Sequence, residues 1–281
     1  PDFNAEFYVD SKSGDNSLID IKAYAINDDE LVADFLLPTP LQWFSSHLTL
    51  PSQVSNSQLA IMDKTIYLFG SSVSNKIYTS TTNDPSNWED SGRVLPSNLF
   101  GSQFYKHNNT LYMFGGHDGY SATDQILTAD ESDPYSWVVS NGVLPTPLYN
   151  SQLVESSGYL YLLGGKDSHS SVKSILKASV NDPLSWEISN FSLPEKLSNS
   201  CSAVIDGYIY LFGGSITSYL NSNKIYRANV NTPLNWKISN VLPYKIHGGV
   251  FFSIGDNGYL ITPGEVSSTR KSYGTRILRC N

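Results

Sequence analysis

"NSCSAVIDGYIYLFGGSITSYLNSNKIYRANVNTPLNWKISNVLP", residues 199–243, decides the fold. "SAVI" and "YIYLF" alternate on either side of Asp206-Gly207, a dipeptide that favours the tight turn of a β-hairpin. Gly213-Gly214 ends the second strand, a variable loop follows, and "KIYRANV" reads as a third strand. "NTP" reads as a turn with Pro at its second position, where its fixed φ fits. "NWKIS" then reads as a fourth strand. Four antiparallel strands in about 45 to 50 residues make one blade of a β-propeller.

The same phrase recurs along the chain. All five tryptophans belong to it: Trp43, Trp88, Trp137, Trp186 and Trp236, spaced 45, 49, 49 and 50 residues apart. Each follows Pro at three residues' distance, in "TPLQW", "DPSNW", "DPYSW", "DPLSW" and "TPLNW". A Leu-Pro pair comes after each, at Leu50, Leu95, Leu144, Leu193 and Leu242. A Trp at one place in every repeat serves the scaffold, which predicts packing between neighbouring blades.

The first copy, "TPLQWFSSHLTLP" at 39–51, is the tail of a repeat that has no beginning. The last copy has "GGVFFSI", "GYLITP" and "TRILRCN" but no Trp strand. Residues 41–48 therefore supply the outer strand of the last blade. The expectation is an all-β chain whose residues 37–281 form a five-bladed β-propeller of four-stranded antiparallel blades, the ring closed by an N-terminal strand. Closure removes an exposed sheet edge. Residues 1–36 lie outside this count as an acidic N-terminal segment. "FYVDS" and "SLIDIKAYAI" alternate like strands, either as a small hairpin against the propeller or as the end of an upstream domain.

Three repeats carry a full glycine pair: Gly115-Gly116, Gly164-Gly165 and Gly213-Gly214. Gly70-Ser71 and Pro263-Gly264 are degraded copies. Tyr78 and Tyr226 stand in the third strand, where Leu127 and Leu176 replace them. With the Trp of the fourth strand, this pattern resembles a kelch repeat. The "DPxxW…LP" phrasing is similar to the kelch-like repeats of bacterial and phage proteins. The resemblance covers residues 37–281 and implies a propeller; such propellers host both enzymes and binders.

Charge is uneven. The net formal charge is −8. Residues 1–36 hold nine acids and two bases, which leaves 17 acids against 16 bases in the rest. A nearly neutral body lacks the basic field that a phosphate backbone requires, so no nucleic-acid partner is expected. The apolar runs are too short for a membrane span. The chain opens at Pro1 with no leading Met and no signal-peptide pattern, the expectation for a processed or excised chain. Cys201 at the top of an inner strand and Cys280 at the bottom of a third strand are too far apart to bridge, which predicts two free thiols.

Strand direction sorts the loops. The lead-ins to the innermost strands and the loops joining second to third strands share one face, the top. The Asp-Gly and Asp-Pro turns share the bottom. Top loops differ from blade to blade, as recognition loops do. The lead-ins "SNSQ", "FGSQ", "YNSQ", "SNSC" and "IHGG" ring the channel with Asn56, Gln58, Gln103, Asn150, Gln152, Asn199 and His247. These amides either satisfy backbone groups around the pore or contact a ligand. Phe100, Tyr120, Tyr149, Tyr219 and Tyr273 stand in or near the top loops, with His117, Asp118, Asp167, His169 and Arg270. Rings beside amides suit stacking on sugars or contact with a protein surface.

A glycosidase needs two suitably placed carboxylates, and the inner strands carry one acid, Glu155. His117, His169 and His247 with Asp118 and Asp167 could in principle bind a metal, but no metal-site spacing motif supports it, so no metal and no cofactor is expected. "NNT" at Asn108 and "NFS" at Asn190 are glycosylation sequons of a kind that an Asn- and Ser-rich chain holds by chance. The expectation is a non-enzymatic binding module, extracellular or on a virion surface. Its top face would recognise a glycan or cell-surface protein. The alternatives are an assembly protein docking neighbouring subunits through residues 1–36, and a glycosidase.

Overall fold

The computed structural model describes residues 23–27, 30–35, 56–254, 257–262 and 276–280. The chain divides into two compact units, Pro1–His47 and Leu48–Asn281. In the first, β1 (Ala23–Asn27) pairs antiparallel with β2 (Glu30–Phe35), with a register shift after Ala25.

In the second unit, sheets follow one another along the chain, each an antiparallel meander. Blade one is β3 (Gln58–Met62), β4 (Thr65–Phe69), β5 (Lys76–Thr81) and β6 (Asp84–Val94). Blade two is β7 (Gln103–His107), β8 (Thr110–Phe114), β9 (Gln125–Asp130) and β10 (Val138–Val143). Blade three is β11 (Gln152–Ser156), β12 (Tyr159–Leu163), β13 (Ser174–Ser179) and β14 (Asp182–Ser192). Blade four is β15 (Cys201–Ile205), β16 (Tyr208–Phe212), β17 (Ser222–Asn229) and β18 (Thr232–Ile246). A last sheet has three strands, β19 (Val250–Ile254), β20 (Asn257–Thr262) and β21 (Arg276–Cys280).

This is an all-β propeller with four four-stranded blades among the described residues, not the five expected. The strand expected to complete the last sheet, 41–48, lies outside the described residues, and closure by an N-terminal strand is not seen. Every outer strand that is seen follows its own third strand through a short connection.

The hairpins form as the turn residues dictate. Ile205 pairs with Tyr208, and Asp206 and Gly207 between them have φ 49° and 75°. Two consecutive positive φ values define the turn whose twist matches the strands. Asn108-Asn109 and Ser157-Gly158 do the same. The turn before the outer strand corrects the sequence reading. Ser179 pairs with Asp182 and Asn229 with Thr232, so Val180-Asn181 and Val230-Asn231 make the turn. Asp182-Pro183 and Thr232-Pro233 already begin the strand, as Pro can at an outer edge.

The Pro-x-x-Trp spacing closes on itself. The indole N–H of Trp137 donates to the Pro134 carbonyl at 2.9 Å, and that of Trp186 to the Pro183 carbonyl at 2.9 Å. Each ring then meets the preceding blade edge-on: Trp137 against Phe69 at 5.2 Å, Trp186 against Phe114 at 4.9 Å. Trp236 is buried with Leu163 of blade three. The cores therefore lie between blades, where the pleated faces of adjacent sheets meet. Trp88 of blade one is only half-buried, and Trp43 lies outside the described residues.

The glycine pair and the Leu-Pro pair are two ends of one contact. A Cβ on Gly115 would stand 2.3 Å from the Leu148 carbonyl oxygen and 3.1 Å from the Leu144 side chain. Gly164 repeats this with Leu197 and Leu193, and Gly70 with Leu99 and Leu95. Only glycine lets the buried leucine segment close over the end of the second strand.

Candidate functional site

The top of the channel is tied by backbone. Gly101 N–H donates to the Asn56 carbonyl at 2.9 Å, Asn150 to Gly101 at 2.7 Å, Asn199 to Asn150 at 2.9 Å, and Gly248 to Asn199 at 2.6 Å. All five residues have φ between 50° and 66°. That left-handed region is open to Gly and tolerated by Asn, which is why the position reads Asn, Gly, Asn, Asn, Gly. The asparagines are there first for the backbone.

The glutamines also serve the scaffold. Gln103 Oε1 accepts the Leu153 N–H of the next blade at 3.1 Å, and Gln152 Oε1 accepts the Ser202 hydroxyl at 3.1 Å. Of the two roles weighed for the amide ring, backbone and inter-strand satisfaction is the one observed for Gln103 and Gln152.

The residue before each belt position and the residue after each glycine pair meet. Phe100 bridges to His117, Tyr149 to Lys166, and Ser198 to Ser215. Lead-ins and second-to-third loops thus share one face, as strand direction required. Phe100, His117 and Tyr149 form an aromatic group, with His117 4.8 Å from Phe100 and 4.9 Å from Tyr149 between ring centres. His117 Nδ1 accepts the Gly119 N–H at 3.0 Å, so that nitrogen is unprotonated. Lys166 Nζ lies 5.9 Å from the Tyr149 ring centre.

Beside this group a cleft of about 600 Å³ opens over blades three and four. Asn150, Asn199, Tyr219 and His247 line it, as do Lys166, Ser171, Ser198, Ser215, Thr217 and Asn221, which sequence reasoning missed. No carboxylate is among its described lining. Its floor is a hydrogen-bond chain. Ser171 and Ser198 hydroxyls stand 2.9 Å apart, and Ser171 donates to the Ser215 carbonyl at 2.9 Å. Ser215 Oγ donates to Asn221 Oδ1 at 3.0 Å, and the Asn221 amide nitrogen stands 3.0 Å from His247 Nδ1. Two of the missed residues, Lys166 and Ser215, share one place, the first position after the glycine pair, which His117 holds in blade two.

Other expected residues stand apart. Asp118 Oδ1 accepts the Tyr120 and Ser121 N–H groups, each at 2.8 Å. Those bonds, from Ser121 and then Tyr120, hold its carboxyl below the usual range. Asp167 does the same for His169 and Ser170, each at 2.7 Å. Burial pushes the Asp167 carboxyl up, but the Ser170 and His169 N–H groups outweigh it and the balance is downward. Both aspartates are engaged in holding their loops. Tyr120 and Tyr219 are 96% and 100% exposed, and Asn56 is exposed. Arg270 and Tyr273 lie outside the described residues. Among the described residues no three His, Cys, Asp or Glu side chains converge as a metal would need.

Residues 38–128 match the family described as the DUF6242 β-propeller domain, a stretch that covers blade one and reaches into β9. No curated protein matches the chain. Among solved structures, that of YjhT is similar, with a TM-score of 0.64 and 15% sequence identity over 76% of this chain and 74% of that one. At that identity the likeness concerns the fold, and the comparisons agree with the strand topology that this chain is a β-propeller.

Proposed function

We propose that the chain is a binding module, on a virion or cell surface, whose top face recognises a glycan or a cell-surface receptor. The observation that carries this reading is Tyr219, fully exposed at the rim of a cleft lined by hydroxyls and amides. A ring left wholly in water has no scaffold role. Beside groups that donate and accept hydrogen bonds, it suits a ligand with apolar faces and polar edges.

A glycan array read with the purified chain, followed by Tyr120→Ala and Tyr219→Ala, tests the reading. Bound features that weaken in both variants support it. If attachment survives both changes but is lost on altering the bottom turns or residues 1–36, the propeller serves to dock neighbouring subunits instead. Release of reducing sugar from a bound glycan would make the chain a glycosidase.

We also propose that the ring has five blades of kelch-like repeats, residues 41–48 completing the last one. Two observations support it. Among the described residues the last sheet has three strands where the four blades before it have four each. Blade one also leaves an apolar face uncovered: Leu59, on the side opposite the buried Ala60 and Met62, is 54% exposed.

A further inference from the structure

On blades two, three and four the loop after the glycine pair is built on one frame. Asp118 N–H donates to the Ser121 carbonyl at 3.1 Å, Asp167 to Ser170 at 3.1 Å, and Thr217 to Leu220 at 3.2 Å. The side-chain oxygen of the same residue accepts the N–H two residues on: Tyr120 at 2.8 Å, His169 at 2.7 Å, Tyr219 at 3.3 Å. Each loop then returns to the second glycine, through Thr123 to Gly116, Val172 to Gly165, and Ser222 to Gly214. The frame lifts one residue per blade to the same place. That residue is aromatic in all three, and the side chains of Tyr120, His169 and Tyr219 are nearly wholly exposed.

The three tips belong to one rim. Ala122 N–H of the second loop donates to Ser168 Oγ of the third at 3.2 Å, and Ser171 Oγ of the third donates to the Ser215 carbonyl of the fourth at 2.9 Å. We infer that this rim binds an extended glycan chain laid across three consecutive blades, rather than one sugar unit seated in the cleft. The inference rests on the top-face reading above. One sugar ring cannot cover three aromatic tips that stand on three separate loops. Successive units of a chain can, each stacking an apolar face on a tip while its hydroxyls meet the Ser and Asn groups below. The chemistry favours a glycan over a protein. A protein interface centres on an apolar core, whereas the centre here is a cleft of hydroxyls and amides, with Lys166 the one Lys, Arg, Asp or Glu among its described lining.

The test uses the full chain against glucan, galactan, mannan and chitin oligosaccharides of one to eight units, by titration calorimetry. Within a series that binds, affinity should climb with each added unit up to several units. Tyr120→Ala, His169→Ala and Tyr219→Ala should each weaken binding of the longest member by about 2- to 10-fold. The melting temperature should stay where it is, because the tips are exposed. The loss should grow with chain length. A single unit bound as tightly as the octamer, with tip variants silent and Asn221→Ala damaging, would overturn the extended-chain inference while leaving the top-face reading intact. No binding by any member of any series would overturn the glycan assignment.

Discussion

Asn150 donates its backbone N–H to the Gly101 carbonyl at 2.7 Å, and both residues sit at positive φ, 54° and 65°. This link repeats from blade to blade and holds the inner strands at the mouth of the channel. A Cβ on Gly101 would stand 2.2 Å from Asn150 Oδ1. Gly101→Ala should therefore cost about 2 kcal/mol, the left-handed penalty plus the shift of Asn150. Asn150→Ala should cost about 1 kcal/mol and Asn150→Gly almost nothing. Urea denaturation of the three variants checks the order. If Asn150→Gly proves as damaging as Gly101→Ala, the asparagine side chain and not its φ is what the position needs.

Trp186 joins blades two and three through Phe114 and holds its own turn through Pro183. Trp186→Ala should destabilise by about 3–5 kcal/mol. Trp186→Phe keeps an edge against Phe114 but drops the indole N–H, and should cost clearly less. Equal losses in thermal unfolding would mean that the hydrogen bond, not the packing, dominates.

Burial, and then a hydrogen bond to Glu155 Oε2 at 3.1 Å, push the Tyr105 hydroxyl up to about 12. The folded value lies above the ordinary one, near 10. The stabilisation is thus fully present below pH 10 and lost as pH rises through 12. Tyr105→Phe should be about 1 kcal/mol less stable than wild type at pH 8. The difference should shrink as pH approaches 12, read from paired denaturation curves. A difference that stays constant to pH 12 would show that Tyr105 does not ionise there.

Burial raises the Cys201 thiol to about 11, against hydrogen bonds to the Phe251 and Ser202 backbone that act the other way. The thiolate is the reactive form, so folded protein at pH 8 should leave Cys201 unlabelled by a thiol reagent, and guanidinium should expose it. Peptide mass mapping distinguishes this cysteine from Cys280. Rapid labelling of Cys201 in the native state would mean that the interface between blade four and the last sheet opens readily.

Deleting residues 1–36 should leave a cooperatively folding propeller, whereas deleting 1–49 should lower the melting temperature markedly. The second cut removes the strand proposed for the last blade. Closely similar melting of both truncations would sink the closure proposal.

The repeat period, the Pro-x-x-Trp phrase, the Gly-Gly and Leu-Pro pairs and the Asp-Gly turns were enough by themselves to establish blades, strand order and two faces. These signals are local or periodic, and each has one low-energy backbone solution: φ > 0 at Asp206-Gly207, and no room for a Cβ at Gly115. The sequence also named Asn150, Asn199, Tyr219 and His247 as neighbours of one site. It could not say that the asparagines repeat because the belt needs a left-handed backbone, since a polar ring and a structural belt use the same residues. Lys166, Ser171 and Asn221 went unseen because a polar residue in a variable loop carries no signal until a bridge such as Tyr149 to Lys166 fixes which way the loop faces. Aligning the three loops needed the hydrogen-bonded frame, because Thr217 does in blade four what an aspartate does in blades two and three. The fold was legible because it is periodic. The site depended on tertiary structure because it is assembled from residues about 50 apart, whose meeting is decided only when one blade packs on the next.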